Sequence, residues 1–155
     1  MNDSERIDYF YALSELLTGY DLVTLYGTGQ GDRYFQTLNA IVGEWTVGNL
    51  LDAFEALQME AKGDAAALHR LVGSKLIADP QWGPLCKNIN QMWYMGNWYQ
   101  LPAAWRENYV WSEDDVDKVI SAESYKEGLV WTAMGQHPKS AKQPGFGTWA
   151  FPPAN

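Results

Sequence analysis

A chain of 155 residues, 46% hydrophobic and 19% charged, is long enough to bury a core as one domain and too apolar to remain disordered. Its net charge of −8, with 11 Lys and Arg scattered along the sequence, argues against nucleic acid or an anionic lipid surface as its partner. No run approaches the roughly 18 to 20 apolar residues of a membrane helix, and the lone Cys86 provides neither an intrachain disulfide nor a cysteine metal cluster.

Ser4 to Leu17 reads as an amphipathic helix: Ile7, Phe10, Leu13 or Ser14 and Leu17 recur at helical spacing, Asp3 or Ser4 caps it, and Thr18-Gly19 stops it. Asp21 to Tyr26 is a short apolar run compatible with a strand or one helical turn, ended by Gly27-Thr28-Gly29-Gln30-Gly31. Asp32 is placed to cap a helix bearing Phe35, Leu38, Ile41 or Val42 and Trp45; Thr46 is placed to cap the next, with Val47, Leu50, Leu51, Phe54 and Leu57. Gly63-Asp64 precedes a helix with Leu68, Leu71, Val72 and Leu76, which stops near Ala78-Asp79-Pro80 because proline disfavours helical geometry in the residue before it. From Pro80 or Pro84, a central helix puts Trp82, Leu85, Cys86, Ile89, Trp93 and Gly96 on one stripe, closed by Leu101-Pro102. Cys86 reads as a small core residue, a mixed disulfide with a partner being the alternative.

Ala103 to Trp111 reads as an aromatic loop, and Ser112-Glu113-Asp114-Asp115 as the start of a helix carrying Val116, Val119 and Ile120. Ser121 or Ser124 restarts a helix with Tyr125, Leu129 and Thr132 or Met134, after which prolines and glycines impose an extended arm. These elements predict an all-α fold, a compact irregular bundle of about five to seven helices over residues 1–135, with a Pro/Gly/aromatic arm over 136–155.

The chemistry-bearing residues give no constellation. Gly27 to Gly31 matches neither G-x-G-x-x-G nor the Walker pattern and reads as a flexible connection. His69 and His137 lack a second ligand at metal-binding spacing, and Glu113 to Asp117 lacks the glycine and distal glutamate of a calcium loop. No serine has a G-x-S-x-G context, and no carboxylate pair stands out from a solvated face. We therefore assign no catalytic, cofactor-binding or metal-binding residue to this chain.

The aromatic content is the remaining signal: 14% aromatic residues with eight Trp. In Met92 to Tyr99, the rings of Trp93, Tyr94, Trp98 and Tyr99 would point around most of a helix, so the segment must be enclosed by its own domain or by another protein. In the arm, Phe146, Trp149 and Phe151 sit where neither helix nor strand forms, which suits them to clasp a partner. The expected partner interface is Trp93, Tyr94, Trp98, Tyr99, Phe146, Trp149 and Phe151, with Trp131 in the core.

Leu13-Ser14-Glu15-Leu16-Leu17-Thr18-Gly19, the block Ile89 to Gly96 with its Trp93-Tyr94-Met95-Gly96, the segment Tyr125 to Trp131, and the ending Pro144-Gly145-Phe146-Gly147-Thr148-Trp149 with Pro152-Pro153 form an ordered set. With these motifs the chain resembles the small (gamma) subunit of membrane-bound FAD-dependent sugar and polyol dehydrogenases, the sorbitol, fructose and glucose dehydrogenase group. The resemblance implies a non-catalytic accessory subunit that binds, stabilises and supports the maturation and export of a large flavoprotein of the glucose-methanol-choline type. FAD would belong to that partner and haem c to a third, multihaem cytochrome subunit, so this chain would hold no cofactor itself. It also implies a periplasmic complex held at the membrane through its partners. Met1-Asn2-Asp3-Ser4-Glu5-Arg6 shows no export signal, so a complete gene product with this sequence would be cytoplasmic. The competing expectation is a free-standing binder of a small ligand, a sugar or quinone, in a pocket lined by aromatics.

Overall fold

In the computed structural model, which describes residues 1–135, helix α1 (Asp3–Thr18) begins in a reciprocal cap. The Asn2 side chain accepts from the Glu5 N–H at 2.9 Å, and the Glu5 carboxylate accepts from the Asn2 N–H at 2.7 Å. The cap is thus one residue earlier than Asp3, and Gly19, at φ +78°, ends the helix as expected. The ambiguous run is helical: α2 (Leu22–Gly27) is capped by Asp21, which accepts from the Thr24 N–H at 2.8 Å.

Helix α3 (Gly31–Val42) starts without a side-chain cap, with Asp32 inside its first turn rather than before it. Close packing fixes that start, because a Cβ at Gly31 would lie 2.0 Å from the Tyr11 hydroxyl on α1. Gly43, at φ +87°, then breaks the chain, and α4 (Glu44–Ala61) begins immediately. The break resets the helical phase: Thr46 is buried within α4 instead of capping it, and Trp45, expected on the core face of α3, is 77% exposed. Asp64 caps α5 (Ala65–Val72) by accepting from the Ala66 and Ala67 N–H groups, and a π-helical turn, Gly73–Ile77, follows.

Asp79 accepts from the Gln81 and Trp82 N–H groups at the start of α6 (Trp82–Met95), and Gly96 ends it at φ +68°. The chain then forms a short antiparallel ribbon, β1 (Asn97–Trp98) against β2 (Lys118–Val119), with Asn97 opposite Val119 and Trp98 opposite Lys118. Between them, Ala103–Asn108 forms α7 where a loop was expected. The acidic Ser112 to Asp115 segment begins no helix. Ser121 caps α8 (Ala122–Lys126), and α9 (Leu129–Ala133) completes the described chain.

The fold is all-α: the described residues form five helices of eight or more residues and four shorter ones, with two two-residue strands as their β structure. Helix α6 is central, packing against α1, α3, α8, α9 and the π-turn, while α4 lies across α1, α3 and α5. Phe10, Leu13, Leu38, Leu50, Phe54, Leu85, Ile89 and Trp93 belong to one buried cluster. No helix among the described residues is long and apolar enough to cross a membrane.

Candidate partner-binding surface

The Trp93 to Tyr99 segment does not present its rings as one outward surface. Trp93 is 1% exposed and Trp98 0%, so neither indole is available to a partner, and their assignment to the interface is corrected. The reason is Gly96. A continuous helix would have spread these rings around its circumference; ending it there turns the next residues into a strand, whose alternation points Trp98 inward. Trp93 packs edge-on against Tyr34, with ring centroids 5.0 Å apart, and beside Phe10 and Tyr11.

Tyr94 is half-buried. Its hydroxyl donates to the Thr18 carbonyl at 2.8 Å, near the C-terminus of α1, and burial pushes its pKa up. Tyr99 is also half-buried, and its phenol donates to the Met95 sulfur at 3.3 Å while accepting from Asn97 Nδ2 at 3.2 Å. Phe146, Trp149 and Phe151 lie outside the described residues. Trp131, expected in the core, is partly exposed at the end of the described chain, its indole N–H donating to the Tyr125 carbonyl at 3.0 Å.

The most constrained polar group in this region is Asp115, which sequence reasoning had grouped with a solvated helix start. It is 1% exposed. Its carboxylate accepts from the Trp98 indole N–H at 2.9 Å and the Leu101 N–H at 3.0 Å. Arg106 Nε stands 3.3 Å from its other oxygen, a charge pair without a well-directed hydrogen bond. Asp115 therefore ties β1, the extended Tyr99–Leu101 segment and α7 together. Nothing in the run Glu113-Asp114-Asp115-Val116-Asp117 distinguishes it from its neighbours; only the tertiary partners do.

A groove of about 790 Å³ lies along the outward face of α6. It is lined by Gly83, Pro84, Lys87, Asn90 and Gln91 of the helix, by Leu17 and Ile77, and by Tyr99, Gln100 and Pro102. Cys86 reaches its wall as a buried thiol, and burial pushes its pKa up to about 12, which suppresses the reactive thiolate. His69 is exposed on α5, and the described residues contain no cluster of three metal-ligating side chains.

Three of the four motif segments that carry the resemblance meet at the C-terminal end of α6. Tyr94 reaches Thr18, a Cβ at Gly96 would lie 2.4 Å from the Ser124 carbonyl oxygen, and one at Gly128 would lie 2.7 Å from that of Tyr94. The fourth, Pro144 to Trp149, lies outside the described residues. The chain matches no family model, no curated protein and no solved structure.

Proposed function

We propose that this chain is a non-catalytic accessory subunit that binds and stabilises a large FAD-dependent sugar or polyol dehydrogenase subunit of the glucose-methanol-choline type and supports its maturation. The observation that carries the reading is the division of the tryptophans. The fold encloses Trp93, Trp98 and Trp105, yet leaves Trp45 77% and Trp111 65% exposed. Indoles are a large apolar area to leave in water, and tryptophan is enriched at the energetic centres of protein interfaces. The motif resemblance supplies the class of partner, with FAD in the large subunit and haem c in a possible cytochrome subunit. Under this reading the complex is periplasmic, and its attachment to a membrane runs through those partners.

The second reading, a free-standing sugar or quinone binder, has the α6 groove in its favour. That groove carries one aromatic ring, Tyr99, among its lining residues, fewer than an aromatic-lined pocket requires. The test is to express the tagged chain in its native host and examine what co-purifies, by absorbance for flavin and haem and by mass spectrometry. A stoichiometric yellow flavoprotein of the dehydrogenase type supports the accessory-subunit reading; a colourless, monodisperse monomer with no partner refutes it.

A further inference from the structure

On α6, the side chains of Lys87, Asn90 and Gln91 make no hydrogen bond or ion pair with another described residue. Asn90 Oδ1 is shut off from solvent without a partner. Asn88, next to Lys87 on the same helix, shows the contrast: its amide donates to the Tyr99 carbonyl at 3.0 Å and accepts from the Tyr99 N–H at 3.1 Å. Across the groove, the N–H groups of Tyr99, Gln100 and Leu101 are occupied by the side chains of Asn88, Asp117 and Asp115. The extended segment thus offers those donors to no added strand, and recognition in the groove falls to the uncommitted side chains.

Their chemistry selects an occupant. Lys87 is the one charged residue lining the groove and has no acidic partner among the described residues, so its ammonium is free to take a carboxylate from outside the chain. The Gln91 amide offers a donor and an acceptor and the Asn90 amide its N–H donors, which matches a peptide main chain. Leu17, Ile77 and Pro84 offer apolar contacts beside them. From Gly83 to Gln91 the helix rises about 12 Å, the span of about four residues of extended chain. The groove is open along its side, which suits a segment laid into it better than a small molecule that must be mostly enclosed.

We propose that the α6 groove docks an extended, carboxylate-bearing segment of the partner polypeptide, with its carboxylate at Lys87 and its main chain along Asn90 and Gln91. The identity of that polypeptide rests on the accessory-subunit reading. The test uses the full tagged chain with a photo-crosslinking benzoylphenylalanine in place of Gln91, and in place of Trp45 for comparison, irradiated in the native host. The expected result is that Gln91 crosslinks to one short, acid-containing segment of the captured flavoprotein, and that Lys87→Glu lowers its capture at least tenfold with helicity unchanged. Capture by the wild type that persists in Lys87→Glu, with no crosslink from Gln91, overturns the groove assignment and leaves the accessory-subunit reading standing. A wild-type chain that captures no flavoprotein overturns both. Saturable binding of a neutral sugar to the purified chain, lost in Gln91→Ala, overturns the peptide as occupant.

Discussion

Replacing Asp115 with alanine removes an acceptor from the Trp98 indole N–H and the Leu101 N–H, and takes the counter-charge from Arg106. Each buried donor left without a partner costs about 1–3 kcal/mol, and breaking a buried ion pair from one side costs about 3–5 kcal/mol. These figures describe overlapping losses and do not add. Because Arg106 keeps 21% side-chain exposure and its Nε is poorly directed, the lower part of the second range applies. We expect Asp115→Ala to lose about 3 kcal/mol, a large share of the roughly 5–15 kcal/mol that holds a domain of this kind together. At about 2–4 °C per kcal/mol for a chain of this size, the melting temperature falls by about 6–12 °C. Asp115→Asn keeps an oxygen for the two N–H groups but loses the charge, and should cost about 1–3 kcal/mol. Asp114→Ala, an exposed neighbour whose carboxylate has no hydrogen bond among the described residues, should stay within about 0.5 kcal/mol of wild type. Urea unfolding followed by tryptophan fluorescence reads all three. An Asp115→Ala variant as stable as Asp114→Ala would refute the reasoning.

Gly96→Ala and Gly19→Ala both place a side chain at positive φ, but only the first meets backbone, the Ser124 carbonyl oxygen at 2.4 Å, whereas nothing lies within 4 Å at Gly19. Gly19→Ala should cost about 1–2 kcal/mol from the left-handed backbone alone, and Gly96→Ala more by about another 1–3 kcal/mol of overpacking; equal losses in urea titrations would contradict that geometry. Burial pushes the pKa of Cys86 from 9.0 to about 12, and those of Tyr11 and Tyr34 from 10.0 to about 12. Between about pH 9 and 12 the unfolded chain has therefore released protons that the native chain still holds, so stability declines as pH rises through that window. A urea midpoint that stays flat from pH 8 to pH 11 would count against this. Trp45→Ala should leave stability within about 0.5 kcal/mol, since the ring packs into no core; under the accessory-subunit reading it also weakens capture of the proposed flavoprotein by an amount typical of an interface tryptophan, about 2 kcal/mol, and unchanged capture removes Trp45 from the interface.

The long helices were legible because their signals are local. Phe10, Leu13 and Leu17 keep helical spacing on α1, and Gly19 ends that helix in the left-handed conformation that terminal glycines favour. Ser121 likewise caps the helix it was expected to restart, and the helix expected after Gly63-Asp64 begins at Ala65. The errors arise where a glycine changes the phase of the pattern. Gly43 detaches Trp45 from the stripe of α3, and Gly96 converts a presumed helical circumference of rings into a strand that sends Trp98 inward. Asp115 fails for a different reason. An acid after a serine is ordinary at a helix start, and its burial depends on Trp98, Leu101 and Arg106, which the topology brings from 17, 14 and 9 positions earlier in the chain. The groove was equally invisible, since it forms between α6, the end of α1 and the extended segment after β1.

The motif positions from which the accessory-subunit reading starts and the positions that look outward are largely separate in this molecule. Gly96 and Gly128 permit backbone approaches that any larger residue would prevent, and Tyr94 joins α6 to the end of α1. These are demands of folding, met around the end of α6. Trp45 and Trp111, by contrast, meet no such demand: they stand exposed at 77% and 65%. A scaffold whose motif residues hold its own helices together is free to vary its outward rings with the surface of each partner. Under the accessory-subunit reading, recognition of a given flavoprotein therefore resides in the exposed tryptophans and the α6 groove, and substitutions there should alter partner choice before they alter the fold.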